Sequence, residues 1–233
     1  MENSSLNELK KLAALEAIKF VESGQVVGLG SGSTVAFAIE EIGRRVREEG
    51  LKILGVPTSL DTYYIAVRNH VPLTTLDEHP VLDLAIDGAD QVDHRLNMIK
   101  GRGAALTREK IVASRAKKFI VMIDARKLTR QIGEGQPLPV EVVPFAVKPV
   151  SEQIEKIGGK PRLRYGVSKL GPVITDNGNY ILDVDFGVIR KPRELSISLK
   201  LIPGVVETGL FIDMADVVCV AGPKGVSRLV RER

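Results

Sequence analysis

Apolar residues recur along this chain in two alternating rhythms. Leu6, Leu9, Ala13, Ala17 and Phe20 fall three or four apart, the spacing of one helix face. Ser5 and Glu8 have capping-box spacing, so a helix is predicted over residues 5–22. Short continuous apolar runs then alternate with amphipathic stretches. VVGLG (26–30) predicts a strand and TVAFAIEEIGRRVREE (34–49) a helix. LKILGV (51–56) predicts a strand and SLDTYYIAVRNH (59–70) a helix. VPLTTL and LDLAID are further apolar runs, ALTREKIVASRA (105–116) has a helical pattern, and KKFIVMIDA (117–125) reads as a strand. A run such as FIVMI shows no polar alternation, as expected of a strand covered on both faces.

This alternation predicts an α/β fold, an open and mostly parallel Rossmann-like sheet with helices on both faces. After about residue 130 the rhythm changes. LPVEVV reads as a strand, and AVKPVSEQIEKIG as a helix whose Pro149 is tolerated near its first turn. PRLRYG and the hairpin PVITDNGNYILDVDF supply strands, with a tight turn at Asn177-Gly178. KPRELSISLKLIPG predicts a second helix and VVETGLF a last strand. The order β-α-β-β-α-β, with one extra hairpin strand, predicts an inserted α+β ferredoxin-like small domain. ADVVCVAG reads as a buried strand that returns to the first sheet. Residues 1–131 and 208–233 are thus expected to form the larger α/β domain, and 132–207 the small one.

A chain of 233 residues with 44% hydrophobic and 27% charged positions has the composition of an ordinary globular protein with one or two domains. No apolar run approaches the roughly 18 residues of a membrane-spanning helix, and the polar N-terminal stretch does not read as a signal peptide. The single cysteine, Cys219, lies in an apolar run. It excludes a disulfide within the chain and points to the cytoplasm. The net charge of +4 comes from scattered residues, and the terminal cluster RLVRER reads as a solvated helix end. Neither a nucleic acid nor a membrane is expected as a partner, whereas a small anionic substrate suits the charge.

Three stretches carry candidate chemistry. In VVGLGSGSTV a strand runs into Gly28, Gly30 and Gly32 and then a helix start, the arrangement that offers backbone amides to an anion. Two familiar phosphate loops fail. Ser33 stands where the dinucleotide fingerprint needs its third glycine, and LKILGV ends without the acid that holds a ribose. No Gly-Lys-Ser/Thr is present either. The stretch reads as a loop for one small phosphate, flanked by Ser31, Ser33 and Thr34, or as a plain turn whose serines cap the helix.

In LAIDGADQVD a buried strand ends in Asp87, Gly88, Ala89 and Asp90. Neighbouring carboxylates repel, so one can retain a proton and the pair can shuttle protons to sugar hydroxyls. The alternatives are an acidic turn or a metal site that adds Asp83 and Asp93, although the spacing matches no calcium loop. In MIKGRGAALTREK, Lys100 precedes Gly101, Arg102 and Gly103, and can bind phosphate or neutralise an oxyanion. Glu109 near a helix start is by itself routine complement to the helix dipole. His70, His79 and His94 form no ligand spacing, and no Gly-x-Ser-x-Gly elbow occurs.

Taken in order, LGSGSTV, DGAD, MIKGRGAALTREK, LPVEVVPFA, TDNGNYILDVDF and IPGVVETGLF resemble the ribose-5-phosphate isomerase family of the A type, over nearly the whole chain. The resemblance implies interconversion of ribose 5-phosphate and ribulose 5-phosphate through an enediolate, without a metal or organic cofactor, in a homodimer or homotetramer. It implies that Ser31, Gly32, Ser33 and Thr34 bind substrate, as do Asp87, Gly88, Ala89 and Asp90. Lys100, Gly101, Arg102, Gly103 and Lys127 join them, with Lys10 as a further phosphate contact. Glu109 matches the catalytic base, Asp87 is assigned ring opening with Asp90 holding hydroxyls, and Lys100 is the counter-charge. Three positions depart from the usual pattern: Arg102 replaces a glycine, Gln91 a glutamate and Ser31 a threonine. A sugar-phosphate-binding regulatory module, or CoA-transferase-like acyl transfer with Glu109 as nucleophile, are the alternatives. Turnover of a bound pentose phosphate separates the first, and ping-pong kinetics with a CoA donor would mark the second.

Overall fold

The computed structural model describes residues 2–168 and 170–231. The elements run in the order α1 (Glu2–Ile18), β1 (Val26–Leu29), α2 (Ser33–Glu48), β2 (Leu54–Pro57), α3 (Leu60–Arg68), β3 (Leu84–Gly88), β4 (Gln91–Asp93), β5 (Met98–Ile99), α4 (Leu106–Arg115) and β6 (Phe119–Asp124). They continue with β7 (Leu128–Thr129), β8 (Leu138–Val142), α5 (Val147–Lys156), β9 (Lys160–Leu163), β10 (Tyr180–Asp185), α6 (Pro192–Lys200), β11 (Val205–Thr208), β12 (Leu210–Phe211), β13 (Val217–Gly222) and β14 (Gly225–Val230). Among the described residues no helix is long and apolar enough to cross a membrane.

The chain divides into two compact units. One comprises Met1–Ala89, Arg108–Leu128 and Met214–Arg233, and the other Asp90–Thr107 and Thr129–Asp213. The expected small domain, 132–207, lies inside the second unit, which also takes in Asp90–Thr107, Thr129–Gln131 and Thr208–Asp213.

The first unit is built on a six-stranded sheet in the order β14-β13-β6-β3-β1-β2. Its strands are parallel except β14, which pairs antiparallel with β13. This is the mostly parallel α/β sheet that the alternation predicts. Val27, Leu29, Ile86, Ile120, Met122 and Cys219 bury against small residues of α1 and the apolar face of α2. Ala13, Ala14 and Ala17 carry that face of α1, and their small side chains let the helix lie close to the sheet. Each larger side chain buried here is worth about 1.5–3 kcal/mol. Gly28 in β1 serves the other face, where an added Cβ would meet Val112 of α4 at 2.4 Å.

The second unit contains an antiparallel sheet in the order β11-β8-β10-β9, with α5 and α6 in the same unit. Val140, Val142, Leu182 and Val184 bury with Val150, Ile154 and Leu199 of the helices. β12, β5 and β4 pair antiparallel in a separate sheet of that unit.

Four local expectations need correction. The first helix begins at Glu2, so Ser5 lies inside it and is not its cap. VVETGLF is not one strand: β11 and β12 belong to different sheets. They part at Gly209, where an added Cβ would lie 2.2 Å from the Lys100 carbonyl oxygen. The tail is not a helix end, because Gly225–Val230 pair as β14 with β13 in full register; Glu232 and Arg233 lie outside the described residues. In the hairpin only β10 is a continuous strand, and the preceding arm makes isolated bridges, Tyr165 to Pro172 and Ile174 to Tyr180.

Candidate active site

In the first unit the candidate residues gather at the carboxyl ends of the parallel strands, where open α/β sheets bind ligands. β1 ends at Leu29 and the chain turns through Gly30, Ser31 and Gly32 into α2. Gly30 is required by its neighbour, since an added Cβ would sit 2.1 Å from the Asp87 carboxyl group. Gly32 is the N-cap of α2 at φ 101°, and no side chain caps the helix. The expectation of serine caps therefore does not hold. The first amides of α2 have no side-chain cap, and the first turn carries no acid to compete with an anion. Ser33 is exposed at that terminus and Thr34 is buried.

Ser31 has a different role from its neighbours. Its Oγ lies 2.8 Å from the hydroxyls of Thr58 and Ser59 and 3.2 Å from that of Thr62. Thr62 in turn donates to the Gly30 carbonyl at 2.7 Å, and Thr58 to the Leu29 carbonyl at 3.0 Å. Four hydroxyls therefore brace the glycine turn from beneath. The stretch Pro57-Thr58-Ser59 is where the acid of a dinucleotide fold is absent. Its polar residues at the end of β2 were the sequence signal for this bracing, which motif reading overlooked.

Asp87, the next-to-last residue of β3, has only 2% of its surface exposed. Its Oδ1 accepts from the amides of Gly88 at 2.7 Å and Ser31 at 3.2 Å, so the acidic tip and the glycine turn of β1 are fastened together. Glu109 lies in the first turn of α4 and is 5% exposed. A buried glutamate is not the solvated dipole complement that its position alone suggests. Lys127 closes the short 3-10 turn after β6, half-buried, and the Asp124 carboxylate caps that turn through the Arg126 amide. Lys10 is half-buried on α1.

In the second unit Asp90 accepts from the Arg102 amide at 2.9 Å, which folds the Lys100–Gly103 loop onto the acidic tip's second carboxylate. Lys100 is 2% exposed; its amide donates to Gly209 at 2.9 Å and its ammonium stands 5.3 Å from the centre of the Phe211 ring. Gly101 has φ 107°, which explains the glycine, and Leu106 and Pro139 crowd its Cα. Arg102 needs no such freedom: its side chain is exposed, and only its backbone is engaged in the loop. Gly103 is exposed with open space around its Cα. Gln91 has a physical reason of its own. Its amide donates to the Glu134 carbonyl and accepts from the Gly133 amide, both at 2.8 Å, and a carboxylate can do only the second.

Two of the four aspartates in the metal reading are spent on structure. Asp83 pairs with Lys117 and accepts from the Val26 amide, while Asp93 accepts from Arg95 and Asn97. Among the described residues no three His, Cys, Asp or Glu side chains converge.

Comparison with known proteins agrees across sequence and fold. Residues 54–225 match the family described as ribose 5-phosphate isomerase A (phosphoriboisomerase A). A curated relative from Methanosarcina acetivorans, ribose-5-phosphate isomerase A, is 55% identical over 89% of this chain and 88% of its own. A solved D-ribose-5-phosphate isomerase in complex with phospho-erythronic acid superposes with a TM-score of 0.95 at 47% identity, covering 97% of this chain and 99% of that one. Ribose 5-phosphate isomerase A of Methanocaldococcus jannaschii gives a TM-score of 0.92 at 46% identity over 96% and 98% of the two chains.

Proposed function

The chain belongs to the ribose 5-phosphate isomerase A family and interconverts ribose 5-phosphate and ribulose 5-phosphate; we propose that it does so through a cis-enediolate with Glu109 as the base. The observation that carries this reading is a carboxyl group buried to 5% exposure in the first turn of α4. Glu109 takes the proton from C2 of the open-chain aldose and returns it to C1. A carboxylate shielded from water is suited to that transfer. The aldose exists mostly as a ring, and Asp87 moves the proton that opens it while Asp90 holds hydroxyls. The buried ammonium of Lys100 offsets the charge that develops on the enediolate oxygen. The phosphate binds at the uncapped start of α2, on Gly32, Ser33 and Thr34, with Lys127 as counter-charge. Ser31 shapes that turn through its hydroxyl contacts. No cofactor enters the scheme.

The ligand of the solved relative, phospho-erythronic acid, supports the reading by its chemistry. A carboxylate puts two oxygens on one planar carbon, as a cis-enediolate puts two oxygens on adjacent planar carbons, and this acid also carries a phosphate. We further place the protein in the cytoplasm as a homodimer or homotetramer, which light scattering of the purified chain would test.

The deciding experiment follows the carbon-bound protons of ribose 5-phosphate in deuterated water by NMR, with Glu109→Gln alongside. Isomerisation with solvent deuterium entering the sugar, lost in the variant by about 10²–10⁴-fold with binding retained, is the expected result. Turnover without deuterium incorporation would overturn the enediolate. Full activity of Glu109→Gln would overturn the choice of base.

A further inference from the structure

Two of the sequence motifs, LPVEV and TDNGN, have no part in the chemistry above, yet they meet at one buried group. Glu141, in the middle of β8, is 0% exposed. Its Oε1 accepts from Thr175 Oγ1 at 2.9 Å, Asn177 Nδ2 at 3.1 Å and Asn179 Nδ2 at 2.8 Å. Its Oε2 accepts from Thr107 Oγ1 at 2.5 Å. Four neutral donors thus surround the carboxylate, three on Oε1 and one on Oε2. Three come from one turn, and the fourth comes from the second residue of α4, the helix that carries Glu109 two positions later.

The other end of the same segment is also held. Arg164 makes a two-point ion pair with Asp183 and uses its remaining N–H group on the carbonyls of Gly101 and Arg102, at 3.0 and 2.9 Å. Between the two holds, Ala104 sits at φ 61°, a left-handed conformation that an alanine adopts only when its surroundings impose it. A segment strained in the middle and tied at both ends has one geometry.

We propose that Glu141 is a positioning residue for the isomerase reaction: through Thr107 it fixes the first turn of α4 and hence the direction of the Glu109 carboxyl. This rests on Glu109 being the base. A glutamine at 141 could keep the three donors of the turn on its carbonyl oxygen, but its NH2 group would reverse the Thr107 contact, donating to the hydroxyl instead of accepting from it.

The test uses Thr107→Val, which removes one hydroxyl and leaves Glu141 its three partners on the turn. Thr107→Ser is the rescue, and Val150→Ala, a buried change in the core of the same unit, is the control for general destabilisation. Thr107→Val should lower kcat by about 10²-fold with KM unchanged, as a misdirected base would. Thr107→Ser should restore kcat, and Val150→Ala should lower the unfolding temperature while keeping kcat. Amide hydrogen exchange over residues 109–112, whose amides bond to the carbonyls of the first turn, should quicken in Thr107→Val alone. Unchanged kcat and exchange in Thr107→Val, or equal loss of kcat in Val150→Ala, would overturn the proposal. The exchange measurement separates this failure from that of the base: if Glu109→Gln stays active while Thr107→Val loosens the helix start, the assignment of Glu109 is what falls.

Discussion

The loop after β1 and the loop after β5 are both short glycine-containing turns that lead into a helix; each has one amide on an aspartate, and the rest of their support differs. The first, Gly30–Gly32, is shaped by what is missing. Gly30 has no Cβ so that the Asp87 carboxyl can pass, and Gly32 takes a backbone angle that side chains avoid. What supports it is a set of neutral hydroxyls from Ser31, Thr58, Ser59 and Thr62, together with the Asp87 carboxylate on the Ser31 amide. The second, Lys100–Thr107, is gripped by charge: Asp90 on one amide, the Arg164–Asp183 pair on two carbonyls and Glu141 on Thr107. The difference matches the tasks assigned to them. A turn proposed to receive a phosphate leaves the first amides of α2 without a side-chain cap, although the Asp87 carboxylate holds the Ser31 amide, whereas a loop proposed to aim a lysine and a base needs fixed direction.

Breaking the comparison at the first loop should have the largest effect. Gly30→Ala forces a methyl group into the Asp87 carboxyl, and turnover should fall by about 10²-fold or more with a stability loss of ~1–3 kcal/mol. Steady-state kinetics and thermal unfolding on one preparation check both. At the second loop, Arg164→Lys keeps the charge but cannot serve Asp183 and two carbonyls together. A loss of about tenfold in kcat, or ~1.4 kcal/mol, is expected with the fold intact by circular dichroism. Wild-type kcat in Arg164→Lys would show that charge alone suffices there.

Ser31→Ala should be milder. Each hydroxyl that Ser31 touches keeps another bond: Thr58 to Leu29, Ser59 to Thr62, and Thr62 to Gly30. About 1 kcal/mol of unfolding free energy should be lost, with KM rising more than kcat falls.

Acid sharpens the contrast further. The hydrogen bond from Lys117 and that from the Val26 amide hold the Asp83 carboxyl below its ordinary value of 3.8. Lys19 and then Arg228 do the same for Glu16 against 4.5. These folded carboxyls bind protons less tightly than the unfolded chain does. Their contribution is full above those ordinary values and is lost as pH falls below them. Asp83→Asn should therefore flatten the acid limb of an unfolding-temperature profile between pH 5 and 3, values set by the usual carboxylate range. The smallest effect concerns Cys219, whose thiol is pushed up to about 11 by burial. It should ignore a disulfide reagent at neutral pH until the chain is unfolded.

What was legible in the sequence was local. The parallel strands announced themselves because burial on both faces leaves unbroken apolar runs, as in β6 and β13. Asp87, Lys100 and Glu109 were legible because each stands beside glycines or a helix start. Three things were not. β14 is a strand because β13 offers its edge, although its own residues alternate weakly and carry Arg228 and Lys224 precedes it. The split of VVETGLF depends on the Lys100 carbonyl pressing on Gly209, a contact across more than a hundred residues of chain. Glu141 showed only as one acid inside LPVEVV. Its donors lie 34 to 38 residues away in either direction, so no spacing rule points to them.

That separation has a consequence for how the enzyme acquires activity. The start of α4 can be hydrogen-bonded as a helix soon after its own residues collapse, because helical contacts are near in sequence. The partners that fix Thr107 arrive only after β8 and the Thr175–Asn179 turn have found each other, and distant pairings form slowly. Refolding from denaturant should therefore return the far-ultraviolet helix signal before it returns turnover, and the lag should vanish in Thr107→Val. The chain becomes folded first and competent second, and one buried glutamate marks the step between.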